Sequence, residues 1–125
     1  MLEITVPDTT KPVDATVPKA TKEFAVVLKG NETTGYVWEL GPNPLPTGIK
    51  ATGDKYKVDL HPEKLPGVGG KHTFSFKSGN EVIGKRVSLW FHYKRSWEPE
   101  PVKKVEVRVT FSATDDTKRG FREFF

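Results

Sequence analysis

Cysteine is absent from this 125-residue chain, which excludes disulfides, thiolate metal sites and cysteine nucleophiles, so packing alone must hold the fold. Long hydrophobic runs are also lacking. None approaches the ~20 apolar residues of a membrane helix, so we expect no membrane partner. The first eight residues have neither a basic segment nor an apolar core, and no signal peptide is visible. The sequence leaves the compartment undecided between the cytoplasm and, if a leader has been removed, a secreted or lysosomal location.

Sequence motifs of enzymes are missing too. The chain has no Gly-x-Ser-x-Gly elbow, phosphate loop, dinucleotide fingerprint or His-Glu-x-x-His. His61, His72 and His92 stand singly, without a partner at metal-ligand spacing. Glu98 and Glu100 flank a proline, a pattern more typical of exposed turn residues than of a catalytic pair. We therefore expect no enzyme, no catalytic residue, no metal and no cofactor.

Charge of one sign is not concentrated in the sequence. The 20 Lys and Arg residues are interspersed with 16 Asp and Glu residues, which leaves a net charge of +4. Nucleic-acid binders usually gather basic residues on one face with aromatic residues between them. The dispersed pattern favours a solvated surface, and we expect no nucleic-acid partner.

The dominant pattern in the sequence is an alternation of apolar and polar residues with a period of two. Each segment with this alternation predicts a strand with one buried face. The alternating segments are Leu2–Val6, Val13–Val17, Phe24–Leu28, Tyr36–Leu40, Tyr56–Leu60, Phe74–Phe76, Val87–Tyr93 and Val105–Phe111. Most of the ten prolines and eleven glycines lie between them, where they mark connections.

Seven or eight short strands at this spacing predict an all-β, immunoglobulin-like β-sandwich of seven to eight antiparallel strands. Trp38 falls on the third main strand, where such a sandwich has its core tryptophan. We expect one domain over residues 1–113. The tail, residues 114–125, has no strand pattern and is expected to be flexible.

Three connections with unusual composition are expected at one end of this sandwich, because successive antiparallel strands return to the same end. They are the first loop (Gly30–Tyr36), the second loop (Gly67–Gly70) and the third loop (Tyr93–Pro99), which are the B–C, D–E and F–G connections when the strands from Phe24 onward are lettered B to G. The first has the composition of a polar connection. The second is either a flexible turn or a place where another backbone approaches closely. The third has an Arg and a Trp, which either anchor an interface or fold back on their own strands.

Taken together and in this order, Thr33-Thr34-Gly35-Tyr36, Gly67-Val68-Gly69-Gly70 and Arg95-Ser96-Trp97 resemble the chagasin family of cysteine-protease inhibitors. The resemblance extends to the residues around the loops and covers roughly Phe24 to Phe111. Two positions depart from the family pattern, since Glu32 and Ser96 stand where the family usually has proline. Proline restricts the backbone, so these loops are expected to be less preorganised.

The resemblance implies a reversible, non-covalent, competitive inhibitor of papain-family cysteine proteases, whose three loops fill the active-site cleft. The protease-binding residues that it implies are Asn31, Thr33, Thr34, Gly35, Tyr36, Gly67, Val68, Gly69, Gly70, Arg95 and Trp97. Tyr36 also alternates into the core pattern, which predicts an internal brace for the first loop. We expect a monomer with a papain-family protease as its partner. An immunoglobulin-like adhesion or carbohydrate-binding module is the alternative, with Trp90 as its candidate aromatic residue outside the loops.

Overall fold

The computed structural model describes residues 2–7, 9–30, 35–41, 44–58 and 69–113. Within these ranges the strands are β1 (Leu2–Thr5), β2 (Val13–Val17), β3 (Glu23–Gly30), β4 (Tyr36–Leu40), β5 (Ile49–Val58), β6 (Gly70–Ser78), β7 (Arg86–Arg95) and β8 (Lys103–Phe111), and a short 3-10 helix spans Asn80–Val82. No helix in this part of the chain is long and apolar enough to cross a membrane. The tail, residues 114–125, lies outside the described residues, and its separation from a domain over residues 1–113 stays a prediction.

The strands form two four-stranded sheets. The order is β1-β3-β6-β5 in the first sheet and β2-β8-β7-β4 in the second. Among the described residues, a cluster of buried apolar side chains draws on both sheets. The predicted all-β class and its two-layer architecture are therefore confirmed.

The strand directions differ from the prediction at one edge of each sheet. β1 pairs with β3 in parallel, and β2 pairs with β8 in parallel. Parallel neighbours cannot be joined by a tight hairpin, and β1 here leads to β2 in the opposite sheet before the chain returns in β3. Both sheets are therefore mixed rather than wholly antiparallel. Period-2 alternation reveals which face of a strand is buried but not the direction of the strand, which is why these parallel edges were not predicted.

The core follows the predicted alternation. Its largest fully buried side chains include Phe24, Phe76 and Phe91, and the rings of Phe24 and Phe76 stack with their centroids 5.3 Å apart. Trp38 is 2% exposed, which confirms it as a core residue. Burial of such aromatic side chains stabilises a domain that has no disulfide.

β5 begins seven residues before the strand predicted from Tyr56. It is an edge strand, and only its first residue, Ile49, is buried. Its pairing with β6 shifts register between Ala51 and Gly53, and a bulge of this kind breaks the alternation of faces. The early part of β5 therefore had no period-2 pattern to detect.

Candidate functional site

The strand ends that carry the three candidate loops lie at one end of each sheet. In the first sheet, Gly30 at the end of β3 is opposite Gly70 at the start of β6, and Gly70 is opposite Val58 at the end of β5. In the second sheet, Tyr36 at the start of β4 is opposite Arg95 at the end of β7. The bases of the first and second loops thus share one end of the first sheet, and those of the first and third loops share one end of the second.

The two sheets meet at this end through Trp38. Its Nε1 donates a 3.0 Å hydrogen bond to the backbone oxygen of Lys29 in β3. A Cβ added at Gly30 would lie 3.1 Å from the Trp38 ring and 3.3 Å from that of Tyr93. The end of β3 therefore packs directly on β4 and β7, so the bases of all three loops are neighbours, as the strand order predicts.

The structure describes six of the candidate site residues, namely Gly35, Tyr36, Gly69, Gly70, Arg95 and Trp97. The other five, Asn31, Thr33, Thr34, Gly67 and Val68, lie outside the described residues. The assignment of all eleven to a binding surface stays a prediction, and the geometry of the six is what the structure adds.

Gly35 and Trp97 bring the first and third loops into contact. Gly35 has a φ of 85°, in the left-handed region that favours glycine. A Cβ added there would lie 2.9 Å from the ring of Trp97. The backbone conformation favours glycine here, and a Cβ would also meet the far end of the Trp97 ring, which would have to shift.

Arg95 lies between two aromatic rings. Its guanidinium carbon is 4.4 Å from the centroid of Tyr36 and 5.7 Å from that of Trp97. Cation–π contacts of this kind contribute about 0.5–1 kcal/mol at exposed sites. Arg95 therefore joins the start of β4 to the exposed tryptophan of the third loop.

The contacts continue inward from Tyr36 as a stack of rings. Tyr36 stacks on Tyr93 with centroids 5.3 Å apart, and Tyr93 packs against Trp38 at 4.7 Å. We call the series Trp97, Arg95, Tyr36, Tyr93 and Trp38 the stacked ladder. It runs from the exposed loop end to the buried core, and Tyr36 occupies in it the place expected of an internal brace.

Tyr93 is the member of the ladder whose role sequence reasoning missed. The alternation in β7 indicated that it faces inward, and its residue type gave no sign of a role beyond the core. Its position depends on the register that sets Tyr93 opposite Trp38. That pairing of two distant segments cannot be obtained from the period of either strand alone.

Gly70 has an internal reason to be glycine. A Cβ at this position would lie 2.7 Å from the ring of Tyr56 and would collide with the backbone oxygen of Lys57, both in the neighbouring strand β5. Contacts this short would force the backbone of β5 to move. The close backbone approach at Gly70 is thus one within the first sheet, and the approach of a partner's backbone to the second loop stays a prediction.

Trp97 is the most exposed of the large apolar side chains that the structure describes, with 69% of its surface accessible. One edge of its ring rests on Gly35. The ring therefore packs against Gly35, beside the start of β4, and still exposes most of its apolar surface at the loop end, so the structure shows features of both alternatives for the third loop. Its role as an interface anchor stays a prediction.

Comparison with known proteins settles the family. The sequence pattern described as "Chagasin family peptidase inhibitor I42" matches residues 18–111, which include most of the chain and all three loops. The chain belongs to the chagasin family. The resemblance to this family of cysteine-protease inhibitors is thus confirmed, and membership of a family of inhibitors agrees with the expectation of a non-enzymatic protein.

Solved structures share the chagasin-type fold at low sequence identity. The cysteine protease inhibitor EhICP2 from Entamoeba histolytica is similar with a TM-score of 0.66 and 20% identity, over 88% of this chain and 94% of that one. Amebosin gives 0.57 and 22%, over 88% and 96%. PbICP-C, solved in complex with falcipain-2, gives 0.54 and 15%, over 89% and 99%. No curated protein sequence matches the chain.

Ser96, one of the two departures from the chagasin-family pattern, lies in a turn that suits proline. The Glu98 amide donates a 3.1 Å hydrogen bond to the Arg95 carbonyl, so Ser96 is the second residue of a β-turn, where proline is favoured. We expect Ser96→Pro to leave inhibition unchanged or to tighten it by up to about fivefold, because the loop loses less freedom on binding. Inhibition constants of the purified variants measure this.

The matched control is Ser96→Ala, which removes the hydroxyl without restricting the backbone. It should inhibit like the parent chain. A large loss of affinity in folded Ser96→Pro, reproduced by Ser96→Ala, would mean that the hydroxyl makes its own contact with the protease.

Proposed function

We propose that this chain inhibits papain-family cysteine proteases reversibly and competitively by inserting its three loops into the active-site cleft. The observation that carries the proposal is the cluster formed by exposed Trp97, Arg95 and Gly35 at the end of the sandwich that also holds Gly69 and Gly70. Family membership supports the inhibition of cysteine proteases, and this cluster supports the assignment of the loop end as the binding surface.

Each loop has a distinct part in the proposed complex. Thr33, Thr34 and Gly35 cover the catalytic cysteine and histidine without offering a peptide carbonyl for attack. The second loop, Gly67–Gly70, lies along the non-primed side of the cleft and makes main-chain hydrogen bonds. Trp97 packs on the primed side.

Preorganisation by the stacked ladder favours tight binding. Trp97 and Arg95 are held against Gly35 and Tyr36 before any partner arrives, so few side-chain rotamers remain to be ordered on docking. Protease–inhibitor interfaces bury about 1,200–2,000 Å², and a few anchors contribute most of their affinity. PbICP-C, whose fold this chain shares, is known in complex with falcipain-2, and we assign this chain the same type of partner.

Titration of papain tests the proposal. We expect inhibition at stoichiometric amounts, reversal on dilution, and an inhibitor that mass spectrometry finds intact after long incubation, because the chain has no cysteine for covalent capture. A single stoichiometric cleavage between residues 31 and 36 would overturn the non-covalent mechanism. Failure to inhibit papain and a panel of related proteases would overturn the function.

That second result would favour the alternative of an adhesion or carbohydrate-binding module. Trp90 is 36% exposed on the outer face of the second sheet, as its place in β7 predicts. Its opposite neighbour in β8 is Glu106, whereas sugar-binding faces usually align several aromatic rings. The structure therefore offers this alternative one candidate residue and no second ring beside it among the cross-strand pairs described.

A further inference from the structure

A row of three lysines crosses the first sheet directly behind the second loop. Lys29 of β3 is opposite Lys71 of β6, and Lys71 is opposite Lys57 of β5. Side chains directly opposite each other in a sheet lie about 4.5–5.5 Å apart at Cβ, and like charges in such pairs are destabilising. The row therefore lowers the stability of the fold, which favours a role for it other than in folding.

These lysines lie on the outer face of the sheet. His72 and Phe74 are buried, so the alternating residues Lys71 and Thr73 point away from the core. Lys55, opposite Thr73, adds a fourth charge one step further along β5. We call Lys29, Lys55, Lys57 and Lys71 the basic patch, and all four side chains are exposed.

The patch borders a surface hollow of about 410 Å³, whose described lining includes three of its lysines, Val27 and one acidic residue, Glu3. Lys29, Lys55 and Lys57 form no ion pair with any residue in the described part of the chain. Within the described residues, three of the four lysines of the basic patch thus have no ion-pair partner.

The outer face of the second sheet is arranged differently. There Asp14 accepts hydrogen bonds from Arg86 at 3.1 Å and from Arg108 at 3.0 Å. Glu106 accepts one from Ser88 at 2.6 Å. Asp14, Arg86 and Arg108 thus form an ion-pair cluster on that face, an arrangement that Lys29, Lys55 and Lys57 do not have within the described residues.

We propose that the basic patch docks against acidic residues on the rim of the target protease's cleft and accelerates association, an inference that rests on the proposed function. The patch is continuous with the loops, because Lys29 precedes Gly30 and Lys71 follows Gly70, the strand ends that carry the first and second loops. When those loops enter a cleft, the residues just behind them face its rim. Complementary charge at a rim raises association rates more than it changes dissociation.

An acidic protein surface fits the patch better than a nucleic acid does. Single-stranded nucleic acids are bound by aromatic side chains that stack on the bases, combined with basic residues. The described lining of the hollow contains Val27, Val58 and Thr73 and no aromatic ring. Lysines beside aliphatic residues on a sheet face instead suit flexible pairing with carboxylates.

Two charge-matched triple variants test the proposal. The patch variant carries Lys29→Gln, Lys55→Gln and Lys57→Gln, and the remote variant carries Lys19→Gln, Lys50→Gln and Lys85→Gln at the opposite end of the sandwich. Each removes three lysines and lowers the net charge from +4 to +1. Stopped-flow inhibition is measured with two papain-family proteases, one of net negative and one of net positive charge, at low salt and at about 0.5 M salt, where screening leaves only short-range interactions.

For the acidic protease we expect the parent chain to associate about tenfold faster at low salt than at high salt. The patch variant should lose most of this advantage with an unchanged dissociation rate, and the remote variant should keep it to within about twofold. If the association rate with the acidic protease does not depend on salt, or if both variants lose the same fraction of that rate, the patch proposal is overturned while the proposed inhibition stands.

Two other outcomes are distinguishable. If the parent chain inhibits neither protease, the proposed function fails, and the patch proposal fails with it. If the patch variant loses binding to heparin or single-stranded DNA while its association with the acidic protease is unchanged, the patch recognises a polyanion and the inferred protein partner is wrong.

Discussion

Replacing Trp97 with alanine should weaken inhibition of papain-family proteases by about 30-fold or more, which corresponds to about 2 kcal/mol of binding free energy. Trp97 exposes 69% of its surface at the loop end, so a partner can bury a large apolar area there. Removal of an exposed side chain leaves no cavity in the core, and the melting temperature should change little.

Trp90→Ala is the matched control for this experiment. Trp90 is also an exposed tryptophan of the second sheet, at 36%, but it lies in the middle of β7, opposite Glu106 and away from the three loops. It should leave inhibition unchanged. If Trp97→Ala unfolds the protein, or if inhibition of every papain-family protease tested survives the change, the third loop does not belong to the binding surface.

The strands and their buried faces could be predicted from the sequence because alternation directly reflects a half-buried strand. Val105, Val107 and Val109 are all at most 1% exposed, and the residues between them are more exposed, as the pattern requires. The same logic identified Trp38 as core and Trp90 as outward-facing. Features that repeat every two residues are local, and one segment contains all the information about them.

Features that depend on which strands become neighbours could not be obtained in this way. The parallel edges β1 and β2 and the stacking of Tyr93 between Tyr36 and Trp38 result from pairings between distant segments. The steric requirement for glycine at position 70 depends likewise on the packing of Tyr56 from the adjacent strand. Such contacts become apparent only when the sheet order and register are known.

The candidate site was predicted from a different kind of information. Composition alone left each loop with an ordinary explanation, and the family resemblance identified the three loops as one surface. The structure adds the physical link between them: Trp97 rests on Gly35, and Arg95 joins Trp97 to Tyr36. Gly35 and Tyr36 thereby form one preorganised unit with Arg95 and Trp97, which follow some sixty positions later in the sequence.

Replacing Trp38 with alanine should have the opposite profile to Trp97→Ala, a loss of about 3–5 kcal/mol in the free energy of unfolding. Trp38 is 2% exposed, packs against Tyr93, and donates a hydrogen bond to the backbone of Lys29. Its removal opens a cavity and leaves the Lys29 carbonyl without that donor. Since small domains are stable by only about 5–15 kcal/mol, this change consumes a large part of the total.

Trp38→Phe separates packing from hydrogen bonding, because it keeps a ring against Tyr93 but removes the indole N–H. We expect it to lose roughly half as much stability as Trp38→Ala, since the cavity is smaller while the Lys29 carbonyl still lacks its donor. Denaturant unfolding and inhibition constants measured on both variants decide the matter. If Trp38→Ala unfolds at the same denaturant concentration as the parent chain, Trp38 does not hold the two sheets together at the loop end.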